Sequence, residues 1–241
     1  MTPADILTSL FPHGHNVADL DTLPHGIGHI DANTTVHVLG VTGSTFPGID
    51  EAVTVAGRVL EIARSGDGLP IVFLLDSGSQ RMSRRDELLG LSETLAHLAK
   101  ALRIAGVNGH RTIGLLYGGT AAGAFIATAL ACETLVALPG AHPEVMDLPS
   151  MARVTKLSLD VLQEKARATA VFAPGLDNIA ATGGILETWD EALPLVDQLQ
   201  KLLADNAPAD DGRAVLGKER GGRSKAADIA AIVREQALAH G

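Results

Sequence analysis

Residues 115–130, LLYGGTAAGAFIATAL, open on an apolar run, turn at Gly118-Gly119 and continue through residues that are apolar or small on every side. The run 113–117 has the unbroken apolar character of a β-strand buried on both faces, and 120–130 that of a buried helix. A strand of this kind belongs to a parallel sheet covered by helices, which sets the class as α/β. Residues 71–75, IVFLL, repeat the signature upstream and run into the polar turn Asp76-Ser77-Gly78-Ser79, so a second loop leaves the end of a buried strand.

Outward from these two strands the pattern alternates. Residues 26–41 are expected to form a hairpin around Asp31-Ala32-Asn33, and apolar positions from Ala52 to Ala63 at helical spacing predict a helix over 50–64. Ser83-Arg84-Arg85-Asp86 has the form of a capping box, and Leu88, Leu91, Leu95, Leu98 and Leu102 predict one long amphipathic helix from Ser83 to about Gly106. Residues 134–138 predict a further strand ended by Pro139-Gly140, and 142–148 a short extended piece. Helices are expected over 158–169, 188–204 and 224–239, with a polar break at 206–211. No linker composition stands out, so 1–241 is expected as a single domain with a helical tail from about 205. The hairpin ahead of the first helix makes a ββα repeat an alternative to a simple doubly wound sheet.

Composition narrows the function. The 241 residues are 46% hydrophobic and 3% aromatic, so the core is built from Ala, Val, Leu and Ile. Nineteen Lys and Arg against 28 Asp and Glu give a net charge of −9, a poor footprint for a dedicated nucleic-acid or anionic-membrane binder. Cys132, the single cysteine, cannot form an internal disulfide and suits a reducing compartment. With no basic region before an apolar leader and no spanning apolar stretch, the expected location is cytoplasmic.

Three segments carry candidate chemistry. Gly118, Gly119 and Thr120 precede a helix, where backbone N–H groups can form an oxyanion hole; tight packing of helix on sheet accounts for the same glycines. Gly118 and Gly123 have phosphate-loop spacing, but Ala124 and Phe125 replace the required Lys and Ser/Thr. Ser79 and Gln80 could contact a polar substrate. Arg81, Arg84 or Arg85 could hold a carboxylate bidentately, but a turn, a capping box and a solvated basic first helical turn explain most of the residues in this segment. Nine histidines include His13-x-His15, but none stands in a metal-binding frame such as HExxH, and His25, His29, His37, His97, His110, His142 and His240 are scattered. Lys218-Glu219-Arg220-Gly221-Gly222-Arg223-Ser224-Lys225 is the basic cluster of an acidic chain: a solvated loop, or a dock for an acidic carrier protein.

At these segments the chain resembles the carboxyltransferase branch of the crotonase superfamily, and within it the malonate decarboxylase gamma subunits. DSGSQRMSRRDELLG resembles the family's substrate-facing loop and helix, and LLYGGTAAGAFIA its Gly-Gly oxyanion turn. ETLVALPGAHPEVMDLPSMA resembles the strand and Pro-Gly stretch of carboxyltransferase C-terminal domains, and GKERGGRSKAADIAAIV the family's tail. Ala141-His142-Pro143-Glu144 departs from the differently polar stretch of biotin-using relatives.

The resemblance implies a crotonase-like ββα superhelix with a helical C-terminal region, paired with a homologous beta subunit in a hetero-oligomer of malonate catabolism. It implies decarboxylation of a malonyl thioester on an acyl carrier protein, with no metal and no cofactor bound directly. The substrate thioester would sit on a phosphopantetheine-type carrier, acyl carrier protein or CoA. Gly118, Gly119 and Thr120 would then stabilise the enolate, and Ser79, Gln80 and Arg81 would hold the substrate, with Arg81 ranked lowest because a strong ion pair stabilises the charged ground state. Three other readings stay open: a biotin-dependent carboxyltransferase subunit, a hydratase or isomerase using Glu87 or Glu133, and a non-catalytic structural partner.

Overall fold

The computed structural model describes residues 1–170, 173–205 and 211–240. They fall into two compact units, Met1–Val145 with Glu187–Ala207, and Met146–Leu186 with Pro208–Gly241.

The first unit holds the strands β1 (His25–His29), β2 (Thr35–Thr45), β3 (Ile71–Ser77), β4 (Thr112–Leu116), β5 (Gly119–Ala121), β6 (Thr134–Ala137), β7 (His142–Glu144) and β8 (Glu187–Thr188). Six of them form one sheet in the order β1-β2-β3-β4-β6-β8. β1 and β2 make the expected antiparallel hairpin, and the other pairs are parallel. The short strands β5 and β7 follow β4 and β6 directly and pair with each other, parallel, in a second sheet. Each of these strand pairs is followed by a helix, which is the ββα repeat weighed from the sequence.

The residues of β3 and β4 are buried as their composition requires: Ile71, Phe73, Leu74, Leu75, Ile113, Leu115 and Leu116 have no exposed surface. Helices α1 (Pro3–Leu10), α2 (Ile49–Ser65), α3 (Arg84–Leu88), α4 (Leu91–Val107), α5 (Ala122–Ala127) and, after β8, α9 (Leu195–Ala204) complete the unit. On one side α1 and α9 bring Ile6, Leu7, Leu10, Leu195 and Leu199 into a cluster with Val72, Leu74, Ile113 and Leu115.

Three expectations are corrected. The helix expected from Ser83 to Gly106 is two helices, because Gly90 adopts φ +85, a left-handed turn that breaks the chain direction between α3 and α4. Ser83 does cap a helix, its Oγ accepting from the Asp86 N–H at 3.1 Å, but that helix is only α3. The buried helix expected over 120–130 begins at Ala122, since Thr120 belongs to β5, and it is not buried all round: Ile126 is 52% exposed. Residues 188–204 are not one helix either; β8 extends the sheet, the buried Trp189 follows, and α9 starts only after Pro194.

The second unit is helical: α6 (Leu148–Thr155), α7 (Leu159–Ala168), α8 (Leu176–Ala181), α10 (Arg213–Glu219) and α11 (Ala226–His240). The break expected at 206–211 lies, apart from Asp211, outside the described residues. No helix among those described is long and apolar enough to cross a membrane.

Candidate active site

In an open parallel sheet the ends of the strands leave a crevice at the carboxyl edge, where loops can converge. β3 and β4 are parallel neighbours, with Leu75 opposite Leu116, so the two loops singled out in the sequence leave the sheet side by side. Four contacts join them. Asp76 Oδ1 accepts from the Gly119 N–H at 3.0 Å, and the hydroxyls of Ser77 and Thr120 lie 2.9 Å apart in a buried setting. The Ala121 N–H donates to Gly78 O at 3.4 Å, and the Gly123 N–H to Gln80 Oε1 at 2.8 Å. Ser77 Oγ also donates to Gly78 O at 3.1 Å, which makes Thr120 the donor of the hydroxyl pair.

These contacts assign separate tasks to the expected site residues. Gly119 is buried, with its N–H held by Asp76; Thr120 is buried, opposite Pro143 in the β5–β7 pair. Gly118 is half-buried, and its N–H has no acceptor among the described residues. Asp76 packs so closely beneath the turn that a Cβ on Gly118 would fall 2.1 Å from Oδ1. Ala122, the first residue of α5, takes φ +50, a left-handed conformation that strains a residue with a Cβ.

Gln80 caps α5 through Oε1. The amide NH₂ therefore faces the other way and has no acceptor among the described residues, which leaves it a donor for a carboxylate or thioester oxygen. Ser79 is half-buried beside it, its hydroxyl 3.3 Å from Gln80 O.

Arg81 is engaged elsewhere. Its guanidinium binds Asp86 at 2.7 Å and Glu51 at 3.0 Å, and Arg85 adds Asp50 at 2.8 Å and Asp86 at 3.2 Å. This lattice ties the 79–89 loop to the first turn of α2 instead of presenting a free carboxylate clamp. The hydrogen bond from Arg81 is the main cause holding the buried Asp86 carboxyl down, to about 2 from an ordinary value of 3.8. A depressed carboxyl stabilises the fold fully above the unfolded value and loses that contribution as pH falls through about 2. Asp86→Asn is therefore expected to lower the denaturant midpoint at neutral pH and to flatten its dependence between about pH 4 and 2. An unchanged profile would remove the lattice from the loop's stability.

The Ser77–Thr120 pair gives a second prediction. Ser77→Ala leaves a buried hydroxyl without its partner and is expected to cost about 1–3 kcal/mol in urea unfolding. Adding Thr120→Val should cost less than the sum of the single changes, and additive losses would show that the hydroxyls do not act together.

Sequence reasoning missed Asp76 and Tyr117. Asp76 reads as a turn residue, and only the folded chain places it under Gly118-Gly119. Tyr117 follows β4 directly and has a buried hydroxyl; burial first, and the Asp76 charge second, push its pKa well up. His142, treated among scattered histidines, stands opposite Gly119.

The remaining candidates lie elsewhere. Glu87 is exposed on α3, and Glu133 accepts from the Thr112 N–H at 3.2 Å, at the strand end remote from the crevice. Within the basic cluster, Lys218 pairs with Asp228 at 2.6 Å, and the Arg220 guanidinium donates to Ala180 O, Ile185 O and Leu186 O. Cys132 is buried, its Sγ 3.4 Å from Thr128 O. Among the described residues no cluster of His, Cys, Asp and Glu is arranged to hold a metal ion.

Comparison with known proteins gives the family and the fold. The chain is 26% identical over 183 residues to the malonyl-S-ACP:biotin-protein carboxyltransferase MADD of Malonomonas rubra, covering 70% of this chain but spanning only 63% of that relative. The fold matches a Pseudomonas malonate decarboxylase hetero-tetramer crystallised with coenzyme A, at a TM-score of 0.80 and 24% identity over 95% of this chain and 97% of the other. It also matches the transcarboxylase 12S core, at a TM-score of 0.64 and 15% identity over 86% of this chain and 42% of the other. These likenesses establish the crotonase-like carboxyltransferase fold. The family model described as malonate decarboxylase gamma subunit matches residues 44–237, which include both crevice loops and the basic cluster, and the chain belongs to that family.

Proposed function

We propose that this chain is the gamma subunit of a malonyl-S-acyl-carrier-protein decarboxylase, acting at a site shared with a homologous beta subunit. The observation that carries the reading is the meeting of the two crevice loops, joined at Asp76–Gly119 and Gln80–Gly123, within a chain of this family.

Breaking the C–C bond to the carboxylate of a malonyl thioester releases CO₂ and leaves its electron pair in an enolate, whose oxygen gains negative charge. A fixed N–H aimed at that oxygen stabilises the transition state more than the ground state. Gly118 supplies that N–H. Gly119, held by Asp76, and Thr120, held by Ser77, fix the turn that presents it. The free NH₂ of Gln80, with Ser79 beside it, orients the leaving carboxylate by hydrogen bonding without the ground-state stabilisation of a full ion pair. The carrier brings the substrate on a phosphopantetheine-type arm, and the beta subunit closes the other side of the site.

The Malonomonas relative's name favours a second reading, transfer of the carboxyl group to a biotin protein. The two differ in the fate of carbon. With malonyl-S-carrier protein labelled in the free carboxylate, decarboxylation gives labelled CO₂ at the same rate with or without avidin. Avidin-sensitive release, or label held on a biotin protein, would replace decarboxylation with carboxyl transfer.

A further inference from the structure

Decarboxylation leaves one chemical step without a group to perform it: the enolate carbon must take up a proton before the acetyl thioester can leave. Resting on the decarboxylase reading, we propose that His142 supplies this proton. The backbone of His142 is fixed to the oxyanion turn, being opposite Gly119 in the β5–β7 register with its N–H donating to Gly118 O at 3.0 Å. The ring lies against the turn as well: a Cβ on Gly119 would come within 2.8 Å of Nε2. Nδ1 faces Gly140 O at 3.3 Å, the arrangement in which Nδ1 carries its hydrogen, and Nε2 has no hydrogen-bond partner among the described residues. His142 is exposed, so solvent can return the proton after each turnover.

The step balances. The C–CO₂ bond breaks, its electrons form the enolate and CO₂ departs. The enolate carbon then takes the proton from imidazolium Nε2–H, the thioester carbonyl re-forms, and neutral imidazole is recharged from water. The surroundings favour this group over its neighbours. β5 and α5, which pack against β7, carry no titratable side chain; the charged groups nearby are Asp76, bound to Gly119, and Glu144, two residues along β7. Tyr117 has an acidic hydrogen too, but its hydroxyl is sealed from solvent, and burial raises the pKa so that the proton is held more tightly.

The test uses the complex assembled with its beta subunit and malonyl-S-carrier protein, comparing wild type with His142→Gln and His142→Asn. Two quantities are read across pH: CO₂ release, and exchange of the acetyl-S-carrier methyl protons in D₂O by NMR, which reports the protonation step in reverse. For a lost acid–base group, exchange is expected to fall about 10²-fold or more, with KM for malonyl-S-carrier protein within about threefold. The decline of turnover at alkaline pH, where the imidazolium is lost, should disappear in both variants. Variants that exchange and turn over like wild type with the same pH profile would overturn the role of His142 while leaving decarboxylation standing. A wild-type complex that releases no CO₂ would overturn both.

Discussion

Gly118→Ala is expected to lower kcat for CO₂ release by about 10²-fold or more while leaving folding and subunit assembly intact. The added Cβ would fall 2.1 Å from Asp76 Oδ1 and 2.5 Å from its carboxyl carbon, so the carboxylate or the turn must move. Asp76 is held through the Gly119 N–H, and Gly119 is held in the β5–β7 pair, so the displacement passes into the one turn that carries the free N–H. An error of about 1 Å in a reacting geometry is enough for a loss of this size. The residue is half-buried at the edge of the sheet and outside the core cluster, which is why the damage should appear in kcat and not in the amount of folded protein. Steady-state kinetics beside size-exclusion chromatography of the complex separates the two. Near-normal turnover in an assembled variant would remove Gly118 from the mechanism.

The largest stability effect is expected at Phe73. It has no exposed surface, lies mid-strand in β3 and stands between Leu39 of β2 and Gly114 of β4 in the sheet register. Truncating a fully buried ring removes its apolar surface and leaves a cavity, so Phe73→Ala should cost about 3–5 kcal/mol in chemical unfolding. That is a large part of a typical domain's total of about 5–15 kcal/mol. Val107→Ala, at a residue 71% exposed at the end of α4, should stay within about 0.5 kcal/mol and serves as the control. A loss near 1 kcal/mol at residue 73 would mean that β3 is not the packed centre of the sheet.

The central strands were legible because each side of β3 and β4 is covered, which enforces an unbroken apolar run; the hairpin was legible because Asp31 and its neighbours interrupt two short β-runs. The leucines after Ser83 keep helical spacing across Gly90 and so point to one continuous helix, because leucine spacing does not report the sign of one φ angle. α1 is not among the elements predicted from the sequence, although Thr2 and Asp5 form a capping box around Pro3 and Ile6, Leu7 and Leu10 make its buried face. The loops at Ser79–Gln80 and Gly118–Thr120 were marked by their position after buried strands. Their joining by Asp76, and the approach of His142 to Gly119, depend on pairings between segments 23 to 43 residues apart, which local sequence does not encode. Arg81 shows the converse: its chemistry suits a carboxylate, and the fold supplies that carboxylate internally from Asp86 and Glu51.

The most direct test of decarboxylation at a shared site is CO₂ release from malonyl-S-carrier protein by this chain alone, by its beta partner alone and by the two mixed, without biotin or added metal. The account predicts stoichiometric release of CO₂ and acetyl-S-carrier protein in the mixture and none from either subunit by itself. Full activity from the beta partner alone would contradict it, leaving this chain a structural companion.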